Sequence, residues 1–109
     1  MQIFDYCTAG GKNVIKEYLS SLPEEEIIQG YDIRHKLVSM GTDALNILNT
    51  RQLKGKLWEI KFSKNRIMYI LANEDEIHLL HACKKQKGKA EKFELDKALQ
   101  RAKEEGFTV

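Results

Sequence analysis

Apolar residues recur at helical spacing between residues 14 and 40. The first stripe contains Val14, Ile15, Tyr18, Leu19 and Leu22, and the second contains Ile27, Ile28, Tyr31, Ile33, Leu37 and Val38. Spacings of three and four residues place such side chains on one face of a helix. Pro23 opens the second helix, three glutamates follow it at the positive end of the helix dipole, and Gly41 ends it. The pattern predicts two consecutive helices.

Strand patterns precede and follow these helices. Residues 1–6, MQIFDY, are typical of a short strand. From residue 57 the apolar period becomes two, and Trp58, Ile60 and Phe62 alternate with Glu59, Lys61 and Ser63, as in a half-buried strand. Residues 66–72 are apolar on both faces, as in a central strand, and residues 77–83 are its predicted antiparallel partner after a polar turn.

The order of the elements predicts the fold class. A last amphipathic helix contains Leu95, Ala98, Leu99 and Ala102 and ends at Gly106. Residues 41–52 can be placed only as a short helical or extended connection. Strands that follow helices are typical of α+β folds. We therefore predict a mainly antiparallel sheet of the N-terminal strand and a three-strand meander, with the two N-terminal helices and the C-terminal helix on one face and the other face open.

Composition places the chain among small globular proteins. Its 109 residues, 42% apolar and 31% charged, are enough for one domain spanning residues 1–109. No apolar run approaches the roughly 20 residues that a membrane helix needs, and the first residues lack the pattern of a secretion signal. Cys7 and Cys83 have no CxxC spacing, which argues against a zinc site or a disulfide framework. We expect a cytoplasmic protein with no membrane partner.

Positive charge is concentrated in one part of the chain. Residues 51–92 contain eleven Lys and Arg against five Asp and Glu, a net charge of +6, whereas residues 1–50 carry −3 and residues 93–109 carry −1. The stretch HACKKQKGKAEK at residues 81–92 alone holds five lysines. Such a segment is either an ordinary solvated surface or a surface that binds a polyanion, because neutralised phosphates release counterions.

The predicted open face carries the candidate chemistry. Glu59 and Lys61 lie there beside Arg66, with the lysine cluster at the end of the third meander strand. An acid among bases on a sheet can be a cross-strand ion pair that contributes about 1 kcal/mol or less. Alternatively, Lys and Arg hold a phosphodiester and offset the charge that develops on it, while a carboxylate, a histidine or a lysine moves protons.

The histidines and the single tryptophan allow two interpretations each. His78 and His81 are three residues apart on one predicted strand, so we expect them on opposite faces, without a shared metal. His81 precedes the lysine cluster and is either a core histidine or a proton donor. Trp58, at an alternating apolar position, is more typical of a core than of a base-stacking platform. No Gly-rich phosphate loop, serine triad or magnesium carboxylate cluster is present, so we expect no metal or cofactor.

Three segments of the chain together resemble a known family. They are LKGKLWEIK at residues 53–61, NRIMY at residues 65–69 and LLHACKK at residues 79–85. In this order they are similar to segments of the HigB-type toxins of the RelE/ParE superfamily, in its phage-derived HigB-like branch. The resemblance covers nearly the whole chain and implies a RelE-like fold. Two residues depart from it: Cys83 replaces the usual Phe, and Glu91 stands where many members have the Pro that opens the last helix.

The resemblance implies an mRNA endoribonuclease that inhibits translation and growth. Such toxins cut mRNA on the ribosome without a metal, by attack of a ribose 2′-hydroxyl, and a HigA-like helix-turn-helix antitoxin silences them. Together with the residue pattern, the resemblance makes the following residues candidates for catalysis: Arg66, Lys85, Glu59, Lys61 and His81. The candidates for nucleic-acid binding are Lys54, Lys64, Lys84, Lys87 and Lys89.

Two other functions stay open, because sharing a fold does not secure an activity. The superfamily also includes gyrase poisons, and the chain could be a ParE-like protein without nuclease activity or a phage-derived accessory protein. Lys61 stands where the family often has Arg and lacks the bidentate fork that suits phosphate. The partners that the resemblance implies are the antitoxin and mRNA on the ribosome, with contacts to ribosomal RNA.

Overall fold

The protein, described over residues 1–109 in a computed structural model, is a five-stranded sheet with helices against it. In chain order the elements are β1 (Gln2–Asp5), α1 (Val14–Ser20), α2 (Glu24–Met40), α3 (Ala44–Ile47), β2 (Asn49–Lys54), β3 (Leu57–Phe62), β4 (Asn65–Asn73), β5 (Glu76–Lys84) and α4 (Lys89–Glu104). The strand order is β1-β5-β4-β3-β2, with β1 parallel to β5 and every other pair antiparallel. The predicted α+β class with a mainly antiparallel sheet is confirmed, and the architecture is consistent with a RelE-like fold.

The two predicted N-terminal helices form and pack closely. The Asn13 side chain caps α1 by accepting a hydrogen bond from the backbone N–H of Lys16 at 2.9 Å. α2 has three glutamates in its first turn and ends at Gly41, whose φ is 64°. Gly30 lets the helices approach, because a Cβ there would lie 2.7 Å from Leu19 Cδ2. No helix in the structure is both long and apolar enough to cross a membrane.

Two apolar clusters lie on opposite sides of the sheet. The larger one fills the space between the sheet and α1, α2 and α3. Its members from the helices and from the strands include Ile15, Leu19, Leu37, Ile67, Tyr69 and Leu79. The smaller one fills the space between the other side of the sheet and α4. Its members include Leu57, Met68, Ile70, Leu80, Ala98 and Ala102.

The prediction that all helices lie on one face is therefore wrong for α4. β4 explains the difference, because its side chains are apolar in both directions: Ile67 belongs to the larger cluster and its neighbour Met68 to the smaller. A sheet that is apolar on both faces needs a cover on both faces. α4 supplies the second cover, with small Ala98 and Ala102 fully buried against the sheet.

A strand that the sequence did not reveal forms one edge of the sheet. β2 pairs antiparallel with β3, so the meander has four strands rather than three. Its sequence, NTRQLK, is polar at most positions and shows no alternation of apolar and polar residues. An edge strand buries little of either face, and for this reason its sequence carries no strand period.

A bulge in β5 changes which face of the sheet the side chains in the second half of the strand point to. Met68 of β4 pairs with His81, but the next residue, Tyr69, pairs with Leu79, so Leu80 is an extra residue on β5. Because of this residue, His78 and His81 both face the α4 side of the sheet. The expectation that they point to opposite faces is therefore wrong.

Candidate functional site

A buried carboxylate lies at the centre of the α4 side of the sheet. Glu59 on β3 is 0% exposed, so the prediction that it lies on an open face is wrong. Arg51 on β2 donates from Nε to Glu59 Oε1 at 2.9 Å. Arg66 on β4 places Nε 3.1 Å from Glu59 Oε2, without the alignment of a hydrogen bond. A buried charge needs such partners, because its desolvation is not otherwise compensated.

The first turn of α4 adds a second carboxylate to this cluster. Glu91 Oε1 accepts a hydrogen bond from Arg66 Nη1 at 3.2 Å and lies 3.6 Å from Arg51 Nη2. The Glu91 side chain is 39% exposed, whereas that of Arg66 is only 4% exposed. Arg66 therefore joins a buried carboxylate to a solvated one. An anion that approaches Arg66 from solvent competes with Glu91 alone.

Three predicted catalytic residues line one shallow pocket at the end of the sheet. Lys61, Arg66 and Lys85 surround a volume of about 280 Å³. The other lining residues are Asn49, Phe62, Ser63 and Asn65. No carboxylate lines this pocket, which we call the basic pocket. Its charge suits an anion such as a phosphodiester.

The turn between β3 and β4 positions the basic pocket. Lys61 and Arg66 are cross-strand partners, so both side chains point to the α4 side. Ser63 makes the turn tight with a φ of 50°, which is unusual for a residue other than glycine. The backbone N–H of Lys85 donates to the carbonyl of Lys64 at 2.7 Å. This bond holds the end of β5 against the turn and brings Lys85 to the other two cations.

Lys84 is directed to the opposite side of the sheet. Its Nζ donates to Asn65 Oδ1 at 3.0 Å and lies 3.7 Å from Glu26 of α2. Asn65 also accepts from the Tyr18 hydroxyl at 2.6 Å and donates to Glu26 at 2.6 Å. Burial raises the pKa of Tyr18, so its hydroxyl stays protonated and donates. Lys84 thus belongs to a network that joins α1 and α2 to β4, and it does not line the basic pocket.

His81 does not line the basic pocket either. Its Nε2 is hydrogen-bonded to Glu94 of α4, and its Nδ1 accepts from Arg101 Nη1 at 2.9 Å. Because an arginine can only donate, Nδ1 carries no proton and Nε2 carries the proton that Glu94 accepts. Burial lowers the pKa of His81; Glu94 opposes this shift, and Arg101 and Lys97 add to it. His81 is neutral in this arrangement.

A metal ion has one candidate set of ligands near His81. Ligand atoms of His81, Cys83 and Glu94 lie within 4.8 Å of one another. A metal on His81 needs the lone pair of Nε2, which moves the ring proton to Nδ1, where it would face the Arg101 donor. Burial also raises the pKa of the Cys83 thiol to about 12, which disfavours the thiolate that binds metals. These side chains fit a hydrogen-bonded cluster better than a metal centre.

The other predicted nucleic-acid-binding lysines are all exposed. Lys64 lies in the β3–β4 turn beside the basic pocket. Lys87 precedes α4, and Lys89 is the first residue of that helix. Lys54 ends β2, at the opposite end of β3 from Lys61. The structure therefore gathers part of the predicted set at one end of the sheet and leaves Lys54 at the other end.

Sequence reasoning did not identify Arg51 and Asn49 as site residues. Both lie on β2, which had no strand period, so their positions opposite Glu59 and Lys61 were not apparent. The one available signal was the presence of an arginine shortly before the apolar segment of β3. Glu91, which departs from the family pattern, also forms part of the site, because its carboxylate lies 3.2 Å from Arg66 Nη1.

Comparison with known proteins gives one match. The profile of a family described as "Phage derived protein Gp49-like (DUF891)" matches residues 17–103, which is more than half of the chain. The match includes every residue of the basic pocket and of the ion cluster, by which we mean Arg51, Glu59, Arg66 and Glu91. No curated protein matches the chain.

Proposed function

The chain belongs to the phage-derived Gp49-like family, which is part of the RelE/ParE-type toxin superfamily, and from this premise we propose that it is the toxin of a type II toxin–antitoxin pair that cleaves mRNA on the ribosome. One observation carries the proposal: Lys61, Arg66 and Lys85 converge on a pocket without a carboxylate. Three cationic side chains that line one pocket are better suited to bind the phosphodiester of an RNA backbone than to form a flat contact with another protein.

The proposed reaction uses the RNA as its own nucleophile. The 2′-oxygen of one ribose forms a bond to the adjacent phosphorus while the bond from phosphorus to the 5′-oxygen of the next nucleotide breaks. The 2′-hydroxyl loses a proton and the departing 5′-oxygen gains one. Negative charge grows on the non-bridging oxygens in the transition state, and positioned cations stabilise it there.

Arg66 is the residue to which we assign charge stabilisation. A guanidinium is always charged and can donate two parallel hydrogen bonds to phosphate oxygens. Glu59 is assigned a positioning role, because it is fully buried and both of its oxygens face arginines. A general base needs hydrogen-bond access to the proton it removes, and Glu59 has no such access.

Proton transfer falls to the two lysines in this proposal. No carboxylate or imidazole lines the basic pocket, so the amines of Lys61 and Lys85 are the groups there that can exchange a proton with RNA. His81 is assigned no part, since its two ring nitrogens are occupied by Glu94 and Arg101. Lys64, Lys87 and Lys89 are proposed to contact the RNA backbone or ribosomal RNA, because they are exposed and lie within a few residues of Ser63, Asn65 or Lys85 along the chain.

A partner protein is part of the same proposal. Toxins of this family are usually paired with an antitoxin. We propose a HigA-like helix-turn-helix antitoxin that binds this chain and prevents its toxicity. Co-expression with the product of a neighbouring helix-turn-helix gene should restore growth, and the two proteins should co-purify.

Primer extension on mRNA from a cell-free translation reaction tests the activity. Addition of the protein should produce new 5′ ends that require ribosomes. Lys85→Gln should reduce cleavage about a hundredfold, the typical effect of losing one donor to a developing oxyanion. Lys103→Gln removes the same charge from an exposed position at the end of α4 and serves as the matched control.

The alternative function is tested with the same preparations. A gyrase supercoiling assay should show no inhibition by the protein. Inhibition of gyrase without mRNA cleavage would refute the endoribonuclease proposal and favour a ParE-like poison. Cleavage that is equal in Lys85→Gln and Lys103→Gln would refute the assignment of the basic pocket as its site.

A further inference from the structure

A second pocket lies on the face of the sheet that α1, α2 and α3 cover, away from the basic pocket. It has a volume of about 370 Å³ and is lined by Leu45, Asn46, Thr50, Lys56, Trp58, Tyr69 and Leu71. Trp58 and Tyr69 are cross-strand partners on β3 and β4, so both side chains project to this face. We call it the aromatic pocket. Its volume is within the range of small-molecule sites, roughly 300–1,000 Å³.

The Tyr69 hydroxyl is an unpaired donor in this pocket. Tyr69 is only 3% exposed, and, unlike the Tyr18 hydroxyl, which donates to Asn65, its hydroxyl takes part in none of the protein's hydrogen bonds. The only fully enclosed side-chain polar atoms without a hydrogen bond are Glu59 Oε2 and Arg66 Nε, so the Tyr69 hydroxyl reaches the open space of the pocket. Burial raises the pKa of Tyr69 to about 12, which keeps the hydroxyl protonated. A ligand that fills the pocket excludes solvent from this hydroxyl, so a ligand that accepts a hydrogen bond from it is favoured over one that does not.

Trp58 is the open wall of the pocket. It is 36% exposed, so it is not the enclosed core residue that its alternating position favoured. An indole ring with a solvent-facing surface is a good platform for another flat ring, since stacking of a nucleobase on an aromatic side chain contributes about 1–3 kcal/mol. Aliphatic Leu45 and Leu71 complete the apolar part of the lining.

The polar rim has the charge and the donors that a nucleotide requires. Asn46, Thr50 and Lys56 line the pocket, and no acidic residue does. The Lys56 ammonium makes no ion pair in the structure and is exposed. An amide and a hydroxyl can bond the edge of a base, and an ammonium can bind its phosphate. An apolar protein side chain in the same place would leave the Tyr69 hydroxyl unpaired, which favours the nucleotide.

From these observations we infer that the aromatic pocket binds a nucleobase of single-stranded RNA, with the ring on Trp58, a hydrogen bond from Tyr69 and the phosphate at Lys56. This site is separate from the basic pocket, and it binds RNA whether or not the protein cleaves it. Thr50 faces the aromatic pocket and the next residue, Arg51, faces the ion cluster. β2 is an edge strand, so one RNA strand that passes over it has access to both sides of the sheet.

The single tryptophan provides the measurement. Purified protein is titrated with adenosine 5′-monophosphate and with a short single-stranded 2′-O-methyl RNA, whose riboses cannot attack phosphate. Stacking on Trp58 should quench its fluorescence and saturate. Tyr69→Phe keeps the ring and removes the hydroxyl, so it should weaken RNA binding about two- to tenfold, the effect of one hydrogen bond. Tyr31→Phe, on the exposed surface of α2, is the matched control and should bind normally.

Two more variants separate the stacking and phosphate contributions. Trp58→Leu, measured by the anisotropy of fluorescently labelled 2′-O-methyl RNA, should weaken binding about 5- to 150-fold. Lys56→Gln should weaken it and reduce its salt dependence, because one phosphate contact is lost, whereas Lys16→Gln on α1 should not.

Three outcomes would overturn the inference. The first is the absence of saturable quenching by either probe. The second is quenching that Tyr69→Phe leaves unchanged, which would indicate ordinary stacking on an exposed ring. The third is a Trp58 emission shift on binding of a protein partner without any response to RNA, which would make the pocket a protein-docking site. Loss of mRNA cleavage in the translation assay bears on the proposed function and not on these titrations.

Discussion

Replacing the buried carboxylate of Glu59 with an amide should destabilise the fold strongly. Glu59→Gln keeps the side-chain volume but removes the charge that faces Arg66. The Arg66 side chain is only 4% exposed, so it would keep Glu91 at 3.2 Å as its one charged partner. Breaking a buried ion pair from one side costs about 3–5 kcal/mol. Because the amide oxygen still accepts hydrogen bonds, we expect the lower end, about 3 kcal/mol.

Urea denaturation followed by circular dichroism measures this loss. For a small domain, a loss of about 3 kcal/mol lowers the urea midpoint by about 1–3 M. Glu91→Gln is the matched control, since it makes the same chemical change next to the same guanidinium. The Glu91 carboxylate is 39% exposed, and pairs with solvated partners contribute about 0.2–1 kcal/mol. The Glu91→Gln midpoint should therefore stay close to that of the unchanged protein.

The comparison of the two variants can refute the reasoning. If Glu59→Gln loses no more stability than Glu91→Gln, the buried carboxylate does not hold Arg66. Activity gives a second criterion for the positioning role. Folded Glu59→Gln should cleave more slowly without the loss of either limb of the pH–rate profile. Loss of the alkaline or acidic limb would instead indicate that Glu59 itself exchanges a proton.

Other contacts lead to three further predictions. Glu91→Gln should bind inorganic phosphate more tightly in calorimetry, because the anion then meets Arg66 without a competing carboxylate; equal or weaker binding would contradict this. Burial lowers the folded pKa of His81 below its usual 6.5, so the unfolded chain binds more protons than the folded one below that pH. The free energy of unfolding should therefore be largest above pH 6.5 and fall as the pH drops. His81→Gln should flatten this dependence between pH 7 and 5, and an unchanged slope would show that other groups cause it. Iodoacetamide at pH 8 should label exposed Cys7 and should label buried Cys83, whose pKa is raised to about 12, only after urea is added. Labelling of both thiols in the folded protein would contradict the burial of Cys83.

The elements with a strong apolar period were predictable. α1, α2, β3, β4, β5 and α4 all form near their predicted positions, because each has either apolar residues that repeat at 3.6 or 2 positions or, as in β4, a continuous apolar run. β2 has no such repeat, since it is a polar edge strand, and its pairing with β3 depends on contacts that local sequence does not encode. With β2 unrecognised, Arg51 could not be placed beside Glu59.

The candidate site was predictable in part. The alternation of β3 placed Glu59 and Lys61 on one side, and the tight turn after it brings Arg66 beside Lys61. The gathering of Lys85 at the same point follows from the antiparallel return of β5. His81 was misplaced because a single extra residue, Leu80, reverses the facing of every later residue on that strand.

Residue patterns along the chain were enough to predict most of the helices and strands, the mainly antiparallel sheet and the residue types that line the basic pocket. The face of the sheet that α4 covers became clear only from the packing of the folded chain. That choice buries Glu59, places Glu91 on Arg66 and leaves Trp58 and Tyr69 around an open pocket. Periodicity indicates which face of a helix or strand is buried, whereas the segment that covers this face is selected by packing between parts of the chain that are far apart in sequence.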